Sequence, residues 1–139
     1  MSGGYDIQDH TADLRLRVWG SNFRETLTWA CLGMWSLITD AETVPREMTW
    51  EVEVTGNDPE ELLVNFLNEQ LVLLEADGLV AGGVEFLDVE ERGDRYKVKA
   101  VFSGCRIDKL SKPLDRQIKA ATYHRLEVAP TGASITFDV

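Results

Sequence analysis

Two stretches of this chain repeat apolar residues at three- and four-residue spacing, and each follows a segment in which apolar residues alternate with polar ones. In the first, Phe23, Leu27, Cys31, Met34, Trp35 and Ile38 line one side of a helix, with Asn22 placed to cap its start and Glu25 at the third helical position. In the second, Asp58 is the cap, Pro59 suits the first helical position, Glu61 completes a capping box, and Leu63, Phe66, Leu67, Leu71 and Leu74 form the stripe. The helices should end near Thr39-Asp40 and near Ala76, where Asp77-Gly78 breaks the pattern. Each stripe must be covered by something apolar, and a sheet face is the available partner.

The alternating segments supply that sheet. Leu14, Leu16 and Val18 against Arg15, Arg17 and Trp19 predict a strand ending at Gly20, and Trp50, Val52 and Val54 predict another ending at Gly56-Asn57. After the second helix the pattern is all β. Val84, Phe86 and Val89 turn at Gly93-Asp94 into Tyr96, Val98, Ala100 and Phe102, and final strands over about 117–128 and 134–139 flank Pro130-Thr131-Gly132. Residues 103–116, with Gly104, Pro113 and no sustained period, read as a surface loop, which makes Cys105 the more exposed thiol and Cys31 a core residue. Short connections favour antiparallel pairing. The expectation is an α+β fold over residues 1–139 as a single domain, with two amphipathic helices packed on a mainly antiparallel sheet.

Composition narrows the function classes. The formal charge of -10 works against binding nucleic acid by bulk electrostatics and favours hard cations, basic protein surfaces or plain solubility. Two cysteines in no C-x-x-C pattern suggest neither a disulfide framework nor a zinc site. No signal-peptide pattern and no apolar run of ~18 residues is present, so a cytoplasmic protein without a membrane span is expected.

The stretch Gln8-Asp9-His10-Thr11-Ala12-Asp13-Leu14 gathers two carboxylates and an imidazole just before the first predicted strand. A hard cation such as calcium takes about six to eight oxygens, so distant residues would have to join. The chain ends in Phe137-Asp138-Val139. If the last strand lies antiparallel beside the first, Asp13, Asp138 and the Val139 carboxylate converge, and their mutual repulsion favours a bound cation. The plainer reading is solvated carboxylates at strand ends, with Asp9, His10 and Thr11 in an ordinary turn. His10 paired with an Asp also admits a general base, and so a small metal-dependent hydrolase or isomerase. An exposed apolar patch would instead suit a chaperone-like binding module, although Trp35 and Trp50 are assigned to the interior. His124 and Lys119 read as strand-face residues, and Gly82-Gly83, ahead of a strand and without a P-loop lysine, cradle no nucleotide.

Taken together, Asp9 to Asp13 (DHTAD), the strand into Trp19-Gly20, the helix from Asn22, the D-P-E-E-L-L start at Asp58, the stretch IKAATYHRLEV from Ile118 and the terminal FDV resemble the archease family across nearly the whole chain. The resemblance implies an α+β protein that is not itself an enzyme. It implies an accessory protein that activates an RtcB-type RNA ligase as a transient partner, meets RNA only indirectly, and promotes GTP-dependent guanylylation and multiple turnover in tRNA splicing or RNA repair. It also implies a divalent cation, calcium foremost with magnesium or manganese as alternatives, held by Asp13, Asp138 and Val139. One departure stands out: where the family usually shows Gly-Glu ahead of a basic, often His-containing loop, this chain has Gly104-Cys105 and no His over 103–116.

Overall fold

A computed structural model describes residues 3–10 and 13–139, with only the backbone of Asp9, His10 and Asp13. Among the described residues, seven strands and two α-helices follow in the order β1 (Gly4–His10), β2 (Asp13–Trp19), α1 (Phe23–Ile38), β3 (Met48–Gly56), α2 (Pro59–Asp77), β4 (Leu79–Arg92), β5 (Arg95–Arg106), β6 (Ala120–Ala129) and β7 (Gly132–Asp138). The strands form two sheets, ordered β1-β2-β7-β6 and β3-β5-β4, and every pairing is antiparallel. The fold is the α+β arrangement expected.

Both helices begin as their sequences dictate. The Asn22 side chain accepts from the Glu25 N–H at 2.9 Å while Glu25 reaches back to the Ser21 N–H at 3.0 Å. Asp58 and Glu61 repeat the arrangement, with Pro59 at the first helical position. Such reciprocal capping satisfies amide donors that the first turn leaves without partners, and contributes on the order of 1 kcal/mol. Gly78 ends α2 in the left-handed region at φ 68°, which a glycine adopts without the Cβ penalty, and its N–H closes onto the Leu74 carbonyl at 3.0 Å.

The helices cover the inner faces of the sheets around one contiguous core. Leu14, Leu16 and Val18 of β2 and Ala133, Ile135 and Phe137 of β7 meet Leu27, Cys31, Met34 and Ile38 of α1 and Leu63, Phe66 and Leu67 of α2 in this core, which Val52, Val98, Ala100 and Phe102 continue into the second sheet. A single polar residue joins the helices at its centre. Buried Gln70 accepts from Trp35 Nε1 at 2.8 Å and donates to Phe66 O at 3.1 Å and Cys31 Sγ at 3.3 Å, and no buried side-chain N or O among the described residues lacks a partner.

Five expectations change. The segment Gly4–His10, outside every expected strand and with Asp9 and His10 expected in a turn, is a full strand paired along β2 from Gly4↔Trp19 to His10↔Asp13. Its alternation is short, Tyr5 and Ile7 against Asp6 and Gln8, and as an edge strand β1 leaves Tyr5, Asp6 and Ile7 exposed. β4 starts at Leu79 and runs through Gly82-Gly83 instead of beginning after them. Register irregularities at Ala81/Gly83 and Val84/Phe86 shift its facing, so Leu87 is buried and Phe86 is exposed. Residues 103–106 extend β5, which buries Cys105 completely, and the surface segment begins only at Ile107. The final hairpin runs over 120–129 and 132–138, leaving residues 117–119 outside it, and Trp50 is only half-buried.

Candidate metal centre

β2 and β7 lie side by side. Their register runs from Trp19↔Gly132 to Leu14↔Phe137, and continued by one step it would bring Asp13 opposite Asp138 at the end of the pair. Strand alternation then decides which way each residue turns. Leu14 and Phe137 point into the core, and Asp138 is exposed on the outer face, the one no helix covers. Thr136 and Ser134 follow Asp138 along that face, with Arg15 and Arg17 on the neighbouring strand.

β6 completes the surroundings. Ala120 pairs with Asp138, and the Lys119 N–H donates to the Asp138 carbonyl oxygen at 2.8 Å, so the backbone of the penultimate residue is tied down on this side. Asn68 of α2 holds β6 from behind: its Nδ2 donates to the Ala121 carbonyl at 3.1 Å and its Oδ1 accepts from the Ala121 N–H at 2.7 Å. Val139 is exposed at the edge of this corner. The side chains of Asp9, His10 and Asp13, and Thr11 altogether, lie outside the described residues. Among the residues that are described, no three His, Cys, Asp or Glu side chains form a metal-binding group. The donors are chemically suited to a hard cation: all are oxygens, and the Asp138 side chain is open to solvent.

Two residues with evident work at this end carried no signal in the sequence. Arg15 alternates outward with Arg17, yet only 6% of it is exposed. It donates to Thr136 Oγ1 at 3.0 Å, to the Arg125 carbonyl at 2.8 Å and to Glu127 at 3.2 Å, across more than a hundred residues of chain. Asn68 sits on a helix whose apolar stripe predicts only what its other face covers. The remaining candidates stay apart from the corner's backbone bonds. His124 is exposed in β6 with its own N–H on Thr122 Oγ1, and Cys31 is sealed in the core, where burial pushes its thiol up to about 12 despite the Gln70 hydrogen bond. Cys105 is also raised, first by burial and then by Glu47 and Asp108, so neither thiol is an activated nucleophile.

A model of the Archease protein family matches residues 5–139. The chain belongs to the archease family. Curated relatives agree: protein archease of Thermococcus gammatolerans is 39% identical over 131 residues, covering 92% of this chain and 91% of the relative. That of Methanosarcina mazei is 36% identical over 127 residues, 91% of this chain and 87% of the relative. The zebrafish (Danio rerio) protein archease is 33% identical over 128 residues, 91% of this chain and 78% of the relative. The solution structure of Methanobacterium thermoautotrophicum protein 1598 superposes with a TM-score of 0.80 at 24% identity, covering 98% of this chain and 99% of that one, a likeness of fold. Within the archease fold of this chain, Gly104-Cys105 is interior strand, and it is therefore the packing of β5 that occupies the position where the expected loop departed from the family pattern. Among the described residues no helix is long and apolar enough to cross a membrane.

Proposed function

We propose that this archease activates an RtcB-type RNA ligase, promoting its GTP-dependent guanylylation and multiple turnover in tRNA splicing or RNA repair, and that it does so through a divalent cation held by Asp13, Asp138 and Val139. The observation supporting the reading is the β2–β7 register, which runs to Leu14↔Phe137 and, continued by one step, would bring Asp13 and Asp138 to facing positions at one strand end. Directly opposed residues on antiparallel strands have Cβ atoms roughly 4.5–5.5 Å apart, close enough for two carboxylates to share one ion. Without an ion two carboxylates at that spacing would repel, and a bound cation would relieve the repulsion.

Calcium is the ion the oxygen donors suit best, with magnesium or manganese as alternatives, and when bound it supplies positive charge that a ligase or nucleotide phosphate can meet. The chain itself contributes rigidity. Lys119 fixes the Asp138 backbone, Asn68 fixes the strand that begins just after Lys119, and the two-sheet core fixes both. The protein's -10 charge suits a transient encounter with the basic cleft of an RNA-handling enzyme, where association is fast and salt-sensitive. In this role the protein acts as an accessory factor in the cytoplasm and carries out no turnover of its own.

The test is a guanylylation assay of the ligase with wild-type protein, Asp13→Asn and Asp138→Asn, each checked by circular dichroism, together with calcium titration of the isolated chain. Loss of stimulation and of calcium binding in both folded variants is expected. Full stimulation by either folded variant would refute the cation's role.

A further inference from the structure

The outer face of the four-stranded sheet carries a second feature, independent of the carboxylate corner. A cavity of about 780 Å³ opens there, and its ionisable lining is Arg15, Arg17, Arg125 and Glu127. Three guanidinium groups against one carboxylate make the cavity locally cationic on a protein whose net charge is -10. Glu127 is already engaged by Arg15 at 3.2 Å. Arg17 and Arg125 have no hydrogen bond or ion pair from their side chains among the described residues, and Asp6, opposite Arg17 in the β1–β2 register, forms none with it.

The backbone around Arg125 is built for this presentation. Between Thr122↔Thr136 and Glu127↔Ser134, β6 carries more residues than β7, so 123–126 bulge out of the ladder. Arg125 sits in that bulge at φ 53°, the only non-glycine with positive φ among the described residues. A side-chain-bearing residue in this region is strained, and such strain persists where the surroundings over-determine it. Here buried Arg15 does so by donating to the Arg125 carbonyl, to Glu127 and to Thr136. Arg15 is thus a positioning residue that aims Arg125 over the cavity.

We infer that this cavity binds the phosphate groups of a nucleoside di- or triphosphate, with Arg17 and Arg125 as the ligating guanidiniums. Guanidinium forks match phosphate oxygens two at a time, and the volume is that of a small-ligand site. The small ligand is favoured over a nucleic-acid strand on charge. A compact polyphosphate meets only the local positive cavity, whereas a long RNA would also meet the acidic remainder of the surface.

The experiment uses the full-length 15N-labelled chain in EDTA, without ligase, so that it reads neither the cation corner nor ligase activation. Tripolyphosphate, ATP and GTP are titrated separately. Saturable amide shifts confined to residues 15–17, 124–127 and 131–134 are expected, with affinity at least tenfold weaker in Arg17→Gln/Arg125→Gln and undetectable in Arg17→Glu/Arg125→Glu. Both side chains are solvent-facing, and unchanged thermal melts verify the fold of each variant. Shifts scattered over Lys97, Lys99 and Lys109, unaltered affinity in the double variants, or an RNA oligonucleotide or polyglutamate binding as tightly as the nucleotides would each overturn the assignment.

Discussion

Replacing Asn68 by alanine isolates the link between α2 and the strand that borders the candidate metal centre. Asn68 makes two bonds to one residue, accepting from the Ala121 N–H at 2.7 Å and donating to its carbonyl at 3.1 Å, and Ala121 is only 4% exposed. β6 is an edge strand, so on this side its backbone has no neighbouring strand to replace the lost partner. Leaving buried backbone groups unpaired costs about 1–3 kcal/mol, and the gain in helix propensity from Asn to Ala returns about 0.6 kcal/mol. The net expectation is a loss of about 1.5 kcal/mol. Asn65 is the internal control. It lies three residues earlier on the same helix and makes a single exposed bond, from its Nδ2 to the Thr55 carbonyl at 3.0 Å, on the edge of the other sheet. Water replaces that bond and the propensity gain is the same, so Asn65→Ala should be within about 0.5 kcal/mol of neutral. Urea unfolding with unchanged m-values measures both. Native-state hydrogen exchange should show the Ala121 and Lys119 amides opening faster in Asn68→Ala alone. If the two variants differ by less than about 0.5 kcal/mol, the double bond does not anchor β6 and the reasoning fails.

Two further outcomes follow from the core. A Cβ on Gly104, in the central strand β5, would land on the Val80 carbonyl oxygen, so Gly104→Ala should cost about 3 kcal/mol or more, or abolish folding, measured by the same denaturation. Cys31, pushed up to about 12 from 9.0 by burial, keeps its proton in the fold; its contribution to stability is complete below pH 9 and declines as pH rises from 9 toward 12. The alkaline fall in unfolding free energy should therefore be shallower in Cys31→Ala, and a thiol reagent at pH 8 should label neither cysteine until urea unfolds the chain.

The helices were legible because their information is local. Caps at Asn22 and Asp58, Pro59 and the glycine stop at Gly78 act within a few residues of themselves, and three- and four-residue spacing names the buried face without knowing what covers it. β2, β3 and β5 were legible for the same reason, since each turns one face to the core and one outward. β1 was not: its alternation is limited to Tyr5 and Ile7 against Asp6 and Gln8, and both apolar members are exposed on an edge strand, so no core face marks it. In β4 two irregularities break the period, and Phe86, apparently inward by counting, faces out while Leu87 faces in. Cys105 misled through composition: a polar stretch with glycine suggested a loop, yet Gly104 is there because a side chain would strike the neighbouring strand.

For the candidate site the division is sharper. The sequence by itself determined the chemistry on offer, aspartates at positions 13 and 138 far apart along the chain, and the two strands that bear them. Only the tertiary structure decided that these strands are neighbours in a register that reaches Leu14↔Phe137, one step short of positions 13 and 138, because strand pairing over more than a hundred residues is set by how the whole core packs and not by any local pattern. The same holds for Arg15: its outward place in the alternation was readable, but its burial beneath a bulge from the far end of the chain was not, since that depends on contacts made only once β6 and β7 have closed over it.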